Sequence, residues 1–197
     1  MTTIGIRLSA AVCASGIALG TVLLSAGSAS AVVQCGGMTA ALAQQNQYTV
    51  TDLSGANNGQ FFTAAPGDKD WVIGSRFGDV IDTGDGADIV CSKDGADTVL
   101  SGTGRDEIYL GDGADYAEGG PGADYLAGAE DSDEIYGDAR IQELPSDGAD
   151  EIYGGEGDDE LFGGGKADSL YGGLGINGGD GGGGVDTCVG LTNPVSC

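Results

Sequence analysis

The chain has 197 residues, 40 of them glycine, and its 7 basic and 31 acidic side chains give a formal net charge of −24. This acidity argues against nucleic-acid and anionic-membrane partners, which require basic surfaces. It also predicts that cations must neutralise the chain before it becomes compact. No histidine is present, which excludes Ser-His-Asp and Cys-His catalysis and most zinc sites.

Residues 1–31 have the layout of a secretory signal peptide. Arg7 lies in a short basic start, an apolar run follows, and Ala-Ser-Ala at residues 29–31 has the small-residue pattern of a cleavage site. A transmembrane anchor is the alternative, but Gly, Ser and Ala interrupt the run. We therefore expect a secreted, extracellular protein that starts at Val32 and does not insert into the membrane after cleavage. Removal of Arg7 leaves 6 − 31 = −25 charges on 197 − 31 = 166 residues.

The mature chain would retain an even number of cysteines, which in a secreted protein predicts two disulfides. These residues are Cys35, Cys91, Cys188 and Cys197. Three connectivities are possible. Because Cys188 and Cys197 are close in sequence, we expect them to pair and leave Cys35 for Cys91.

Residues 32–64 are too short for a catalytic domain, and we interpret them as an N-terminal cap. Within them, YTVTDL (48–53) predicts one strand and GANNG (55–59) a turn.

Beyond this cap, aspartates recur every ninth residue. The series comprises Asp70, Asp79, Asp88, Asp97, Asp106, Asp115, Asp124, Asp133, Asp150, Asp159, Asp168 and Asp186. Eight extra residues, 139–146, interrupt the register and predict a surface loop, and Asn177 takes the place of one aspartate.

An apolar residue lies two positions after almost every one of these residues. The column comprises Val72, Ile81, Val90, Val99, Ile108, Ala117, Leu126, Ile135, Ile152, Leu161, Leu170 and Cys188. Gly179 alone breaks it. An acidic, glycine-rich disordered tail is the alternative that the composition suggests, but such a tail has no reason to keep apolar residues in phase.

The nine-residue pattern has a direct physical interpretation. Glycines at its first, second and fourth places permit the positive φ angles of a tight turn and bring backbone carbonyls together. The sixth-place aspartate adds a carboxylate, and calcium prefers a mixture of such oxygen ligands. The last three residues form a short strand whose middle side chain points inward. The aspartate therefore belongs to the turn and the apolar residue to the core.

The units fit the pattern G-G-x-G-x-D-x-U-x, where U is a large apolar residue. Clear copies are GGPGADYLA (119–127), GGEGDDELF (154–162) and SGTGRDEIY (101–109). In these motifs the chain resembles the RTX, or hemolysin-type calcium-binding repeat, family. The resemblance implies an all-β parallel β-roll over residues 65–189, with two repeats per coil and calcium ions between stacked turns, bound by the twelve aspartates. Residues 190–197 would form the C-terminal cap.

Aromatic residues recur on the outward-facing side of the predicted strands, and all but Tyr171 have a glutamate two residues earlier. The aromatic positions are Tyr109, Tyr136, Tyr153, Phe162 and Tyr171. They suggest either a surface for a carbohydrate or protein partner or a shield for the strands of a narrow solenoid, since strands favour aromatic residues in any case.

These observations predict a secreted, non-enzymatic protein that binds several calcium ions and folds with them. We expect calcium to bind most weakly around residues 172–180, where Asn177 and Gly179 depart from the pattern. Two alternatives remain. One is an adhesin or cell-wall- or carbohydrate-binding module in which calcium is purely structural, and the other is a calcium-dependent lyase, whose coils would have to be wider than two nonapeptides.

Overall fold

The computed structural model describes residues 46–139, 146–192 and 194–197, and within these residues all regular structure is β-strand. Seventeen strands, numbered β1 to β17 in chain order, form two long parallel sheets and one short pair. No helix in the described part of the chain is long and apolar enough to cross a membrane.

The chain alternates between the two long sheets. Sheet I contains, in spatial order, β1 (Tyr48–Asp52), β3 (Lys69–Ile73), β6 (Ile89–Asp94), β9 (Glu107–Asp112), β11 (Tyr125–Glu130), β13 (Glu151–Glu156), β15 (Ser169–Leu174) and β17 (Thr187–Val189). Sheet II contains β2 (Phe61–Thr63), β4 (Val80–Asp82), β7 (Thr98–Leu100), β10 (Tyr116–Glu118), β12 (Glu134–Tyr136), β14 (Glu160–Gly165) and β16 (Gly178–Gly183). The short pair consists of β5 (Asp85–Gly86) and β8 (Thr103–Gly104).

Two nonapeptides make one coil, as predicted, because paired residues in neighbouring strands of a sheet are eighteen positions apart. Thr98 pairs with Tyr116, and Ile89 pairs with Glu107. Across the interruption the separation becomes 26, as in the pair Tyr125 and Glu151. The eight extra residues therefore leave the strand register intact. Of the predicted loop, residues 140–145 lie outside the described residues.

The core is a single column of side chains between the sheets. The eleven predicted apolar residues from Val72 to Leu170 have no solvent exposure, which confirms the inward column. Leu53 and Phe62 pack against this column at the N-terminal end of the described roll. Strand β1 confirms the strand predicted for YTVTDL, and β1 and β2 pair in parallel with the repeat strands. An all-β parallel β-roll is thus the observed fold.

A second, smaller apolar cluster lies apart from the column. It consists of Trp71, Ile73, Ile89 and Cys91, with Tyr48 and Val50 packed against it. The nonapeptide pattern did not indicate this cluster, because Trp71 and Ile73 flank the inward residue Val72 and were expected to point outward.

The C-terminal disulfide prediction is confirmed, since Cys188 is bonded to Cys197 with a Cα–Cα distance of 5.8 Å. Cys91 is also disulfide-bonded. Its predicted partner, Cys35, lies outside the described residues, as does the predicted signal peptide.

Candidate metal centre

The turns between strands carry positive φ angles at the second and fourth places of the repeat. In the turn that precedes Asp106, for example, Gly102 has φ 88° and Gly104 has φ 151°. Left-handed backbone of this kind favours glycine. The first-place glycines of the repeats, such as Gly119 and Gly163, do not have positive φ. The expectation of positive φ at the first place is therefore wrong, and that glycine is needed for another reason.

The sixth-place residues form two ladders along the roll. The first ladder, before the strands of sheet I, is Asp70, Asp88, Asp106, Asp124, Asp150, Asp168 and Asp186. The second ladder, before the strands of sheet II, is Asp79, Asp97, Asp115, Asp133, Asp159 and Asn177. Stacking of the coils therefore brings the predicted aspartates together within two separate series.

Within each ladder, one side-chain oxygen of a residue accepts a hydrogen bond from the backbone of the member one coil earlier. The backbone N–H of Asp106 donates to Oδ1 of Asp124 at 2.8 Å, and the same bond recurs between successive members of both ladders at 2.6–3.0 Å. These bonds fix the carboxylate orientation, so that Oδ2 must point in a defined direction in every unit.

The second oxygen has no hydrogen-bond partner in most units. Oδ2 is buried and without a hydrogen-bond partner in Asp70, Asp88, Asp97, Asp106, Asp115, Asp124, Asp133, Asp150, Asp159 and Asp168. These ten side chains are at most 4% exposed. An unpartnered buried carboxylate oxygen is costly, so a repeated row of them indicates that something else supplies the partner.

Burial has the expected electrostatic effect on these side chains. It raises the pKa of Asp70, Asp97 and Asp168 to about 6, of Asp106, Asp115 and Asp133 to about 7, of Asp124 to about 8 and of Asp150 to about 9. Burial also raises the pKa of Asp88 and Asp159. In all of these except Asp70 a backbone N–H partly opposes the shift, and in most of them neighbouring aspartates add to it. The ladders therefore disfavour the charged form of their own carboxylates, which is the condition that a bound cation would relieve.

The first-place glycine leaves open the space that Oδ2 faces. A Cβ built on Gly163 would lie 2.5 Å from Oδ2 of Asp168 and 2.5 Å from the carbonyl oxygen of Gly181, one coil further on. A Cβ on Gly119 would lie 2.8 Å from Oδ2 of Asp124 and 2.5 Å from the carbonyl oxygen of Gly137. We call this space the cradle of the unit. It brings together a carboxylate oxygen and a carbonyl oxygen, the ligand types that calcium prefers.

Six units have such an open cradle. Their aspartates are Asp124, Asp133, Asp150, Asp159, Asp168 and Asp186. All of them lie in the C-terminal two thirds of the roll.

Upstream units carry a side chain where the others have the open cradle. Thr83, Ser92, Ser101 and Leu110 hold the first place in the units of Asp88, Asp97, Asp106 and Asp115, and all four are buried. Each of the three hydroxyls donates a hydrogen bond to the first-place carbonyl of the next coil, for example from Ser92 Oγ to Leu110 O at 2.8 Å. The residue at the first place thus distinguishes open from filled cradles.

Two sixth-place residues differ from the others. Asp79 has both oxygens bonded, because Gln60 N–H donates to Oδ1 at 2.6 Å and Ser75 N–H donates to Oδ2 at 2.6 Å. Asn177 accepts the ladder bond from Asp159 N–H at its Oδ1, at 2.9 Å. That bond turns the amide nitrogen of Asn177 into the cradle, where aspartates place Oδ2. This unit presents a hydrogen-bond donor and the carbonyl oxygen of Gly190 to the space, but no carboxylate oxygen.

The structure also shows acidic side chains that the pattern did not indicate. Asp138 and Asp147 flank the inserted loop and are buried. Oδ2 of Asp138 accepts a bond from Gly165 N–H at 2.8 Å, and burial raises the pKa of this carboxyl to about 6. Asp138 also adds to the raised pKa of Asp150. Their signal in the sequence was weak, because Asp138 takes the place of a second-place glycine.

In the described part of the chain, no three acidic, histidine or cysteine side chains converge as a metal-binding group. Each cradle presents one carboxylate, so its remaining oxygens would come from the backbone. This is consistent with a site that needs glycine turns as much as aspartates.

The outward tyrosines pack against one another. The rings of Tyr109, Tyr125, Tyr153 and Tyr171 form a continuous series on sheet I, with neighbouring centroids 4.7–5.5 Å apart. The hydroxyl of Tyr153 also donates to the carboxylate of Glu151 on its own strand. The rings of Tyr153 and Tyr171 are stacked at 12°, whereas the other two neighbouring pairs are tilted at 42–45°.

The fold and the ladders define this protein as a parallel β-roll whose turns carry two rows of buried carboxylates. A family model described as RTX calcium-binding nonapeptide repeat matches the chain in four copies, at residues 67–99, 92–126, 109–139 and 146–178. These matches cover more than half of the chain, which therefore belongs to the RTX calcium-binding repeat family. No curated protein and no solved structure matched it.

Proposed function

We propose that this protein is a secreted, non-catalytic calcium-binding β-roll whose folding depends on calcium. The observation that carries the proposal is the row of buried Oδ2 atoms without hydrogen-bond partners, five of which face a backbone carbonyl across an open cradle. Calcium binds six to eight oxygens, both carboxylate and carbonyl, at about 2.3–2.6 Å. The six aspartates with open cradles are the strongest candidates among the twelve predicted ligands.

Coupling between binding and folding follows from the charge and the narrow core. About 25 net negative charges lie on 166 residues once the predicted signal peptide is removed, and most nonapeptides add only one side chain to the central column. That burial opposes an ordering cost of about 1–2 kcal/mol per residue. Bound calcium would neutralise charge and join consecutive coils, and a ligand that binds only the folded state stabilises it by mass action. Because neighbouring coils share contacts, we expect the transition to be cooperative.

A calcium titration tests this proposal. Chain prepared without metal should show a disordered far-UV circular dichroism spectrum, gain β signal steeply as calcium is added, and respond poorly to magnesium, which demands tighter octahedral geometry. Native mass spectrometry should count several bound calcium ions. An equally folded and equally heat-stable protein in excess chelator would refute the proposal.

Secretion is a separate part of the proposal and has its own test. It rests on the apolar run and the Ala-Ser-Ala sequence at residues 29–31. Mass spectrometry of culture supernatant should find a protein that begins at Val32. Recovery of a cell-bound protein that retains residues 1–31 would contradict it.

The outward-facing aromatic side chains support the alternative of a carbohydrate-binding module less than they support a role in shielding the strands. Sugars stack on the faces of aromatic rings, and the stacked pair Tyr153 and Tyr171, at 4.7 Å and 12°, uses those faces for ring–ring contact. This arrangement supports the interpretation that the aromatic residues shield the strands. A glycan-array and cell-wall binding screen with calcium present should therefore be negative, and saturable binding to one glycan would favour the alternative.

A further inference from the structure

The C-terminal tail lies against the last strand of sheet II. Val195 N–H donates to the carbonyl of Gly179 at 3.0 Å, and Gly181 N–H donates to the carbonyl of Val195 at 3.0 Å. Thr192 N–H donates to the carbonyl of Asn177 at 2.6 Å. The tail therefore takes the position of one further strand on β16, and the disulfide between Cys188 and Cys197 ties its end to the roll.

The tail also supplies an oxygen to the final cradle. In the unit of Asp168, the cradle lies between that carboxylate and the carbonyl of Gly181, eighteen residues after Gly163. In the unit of Asp186 the described residues contain no further repeat strand that would supply the equivalent carbonyl. The carbonyl of Ser196, only fifteen residues after Gly181, takes that place, and Oδ2 of Asp186 lies 2.6 Å from the position of a Cβ on Gly181.

The backbone of Ser196 is held in an uncommon conformation. Its φ is +46°, in the left-handed region that costs a residue with a side chain about 1–2 kcal/mol. Such a residue persists where its surroundings fix it from both sides. Val195 is paired with β16 on one side, and Cys197 is disulfide-bonded on the other. Together these two anchors aim the Ser196 carbonyl at the cradle.

We propose that the tail completes a terminal calcium site, formed by the Asp186 carboxylate and the Ser196 carbonyl and positioned by the Cys188–Cys197 disulfide. The inference rests on the proposed function, namely that open cradles bind calcium. It goes further in making one site depend on a disulfide and therefore on an oxidising environment. The two ladders then have different last members, since the first ends at the carboxylate of Asp186 and the second at the neutral amide of Asn177.

A double-mutant cycle tests the dependence. Native mass spectrometry at saturating calcium should show one calcium fewer for Asp186→Asn and one fewer for the combined Cys188→Ala and Cys197→Ala variant. The triple variant should also lose only one, because both changes remove the same site. Asp124→Asn is the matched control, since it lies in the same ladder away from the tail and its loss should add to that of the disulfide variant.

The possible outcomes distinguish failure of this inference from failure of the proposed calcium-binding function. Full calcium stoichiometry in the disulfide variant, or losses that add in the triple variant, would overturn the tail-completed site and leave the calcium-binding roll standing. No calcium binding by the unaltered chain would overturn both.

A second variant keeps the inference testable if the disulfide variant does not fold. Gly181→Ala places a Cβ closer than 3.0 Å to both Oδ2 of Asp186 and the Ser196 carbonyl, while the φ of Gly181 is acceptable for alanine. It should bind one calcium fewer with the disulfide intact. Gly55→Ala, whose Cβ meets nothing within 4 Å, is the control and should keep every site. Equal stoichiometry in both variants would contradict the proposed site.

Discussion

Substitution of a first-place glycine is the sharpest test of the cradle as a binding site. Gly163→Ala would place a methyl group 2.5 Å from Oδ2 of Asp168 and 2.5 Å from the carbonyl oxygen of Gly181. Both separations are shorter than the 3.0 Å that Cβ atoms in proteins respect. Since Gly163 does not have a positive φ, the backbone itself accepts alanine. The change therefore acts on the space between the two oxygens.

The magnitude follows from mass action. A site that binds only the folded chain contributes about 2.7 kcal/mol when calcium is at 100 times its dissociation constant. Gly163→Ala should lose up to that amount at high calcium, together with a smaller strain cost that is independent of calcium. The midpoint of the calcium-driven transition should move to higher calcium, and the bound stoichiometry should fall by one.

The assays are a calcium titration followed by far-UV circular dichroism and a count of bound ions by native mass spectrometry. Ser92→Ala is a matched control, because the Ser92 side chain already fills its cradle. It should keep the calcium stoichiometry of the unaltered chain. If Gly163→Ala also kept that stoichiometry and its transition midpoint, the cradle would not be the binding site.

Four further predictions follow from the same geometry. Ser92→Gly should open a cradle beside the unpartnered Oδ2 of Asp97 and add one bound calcium by native mass spectrometry; no gain would show that the first-place residue does not control binding. Asn177→Asp should likewise add one bound calcium, because it replaces the amide nitrogen in the cradle by a carboxylate oxygen. An unchanged number of bound calcium ions would contradict the role given to that amide. Asp124→Ala, inside the roll, should shift the calcium midpoint of folding upward more than Asp186→Ala at its edge, whereas an equal shift would argue against cooperative stacking. Finally, metal-free chain should gain β signal as the pH falls, because the folded state, in which the aspartate pKa values are raised to about 6–9, binds protons that an unfolded chain with the ordinary pKa of 3.8 does not. This contribution to stability is complete below about pH 4 and is lost as pH rises through 6–9. A loss of β signal on acidification would contradict this direction of the pH dependence.

The candidate site could be predicted in part. The aspartate spacing identified which carboxylates stack, and all of the predicted ones lie in the two ladders. It did not distinguish Asp79, whose oxygens are both bonded to backbone N–H groups, from Asp124, whose Oδ2 faces an open cradle. Oδ1 of Asp79 is bonded by Gln60, one coil away, and Oδ2 by Ser75, four residues earlier, and the spacing of the aspartates indicates neither contact.

At the C-terminal end, too, the repeat pattern alone could not identify a contact that the structure contains. In the sequence, Gly179 leaves a gap in the core column. In the structure, Cδ1 of Leu191 lies 3.0 Å from the position of a Cβ on Gly179, and Leu191 packs against the core. The residue that fills the space comes from the tail, outside the repeat register, so the nonapeptide period could not indicate it.

The sequence by itself determined the repeat length, the inward column and the placement of aspartates in turns, because a period of nine residues encodes one turn and one strand in every unit. Only the tertiary structure showed that a cradle lies between the first-place residue of a unit, its aspartate and a carbonyl one coil later, so that glycine leaves this space open and a larger side chain fills it. It alone placed Ser196 beside Asp186, because strand pairing and a disulfide bring the tail back across the last coil. Local spacing specifies the unit, whereas contacts between coils specify what each unit can bind.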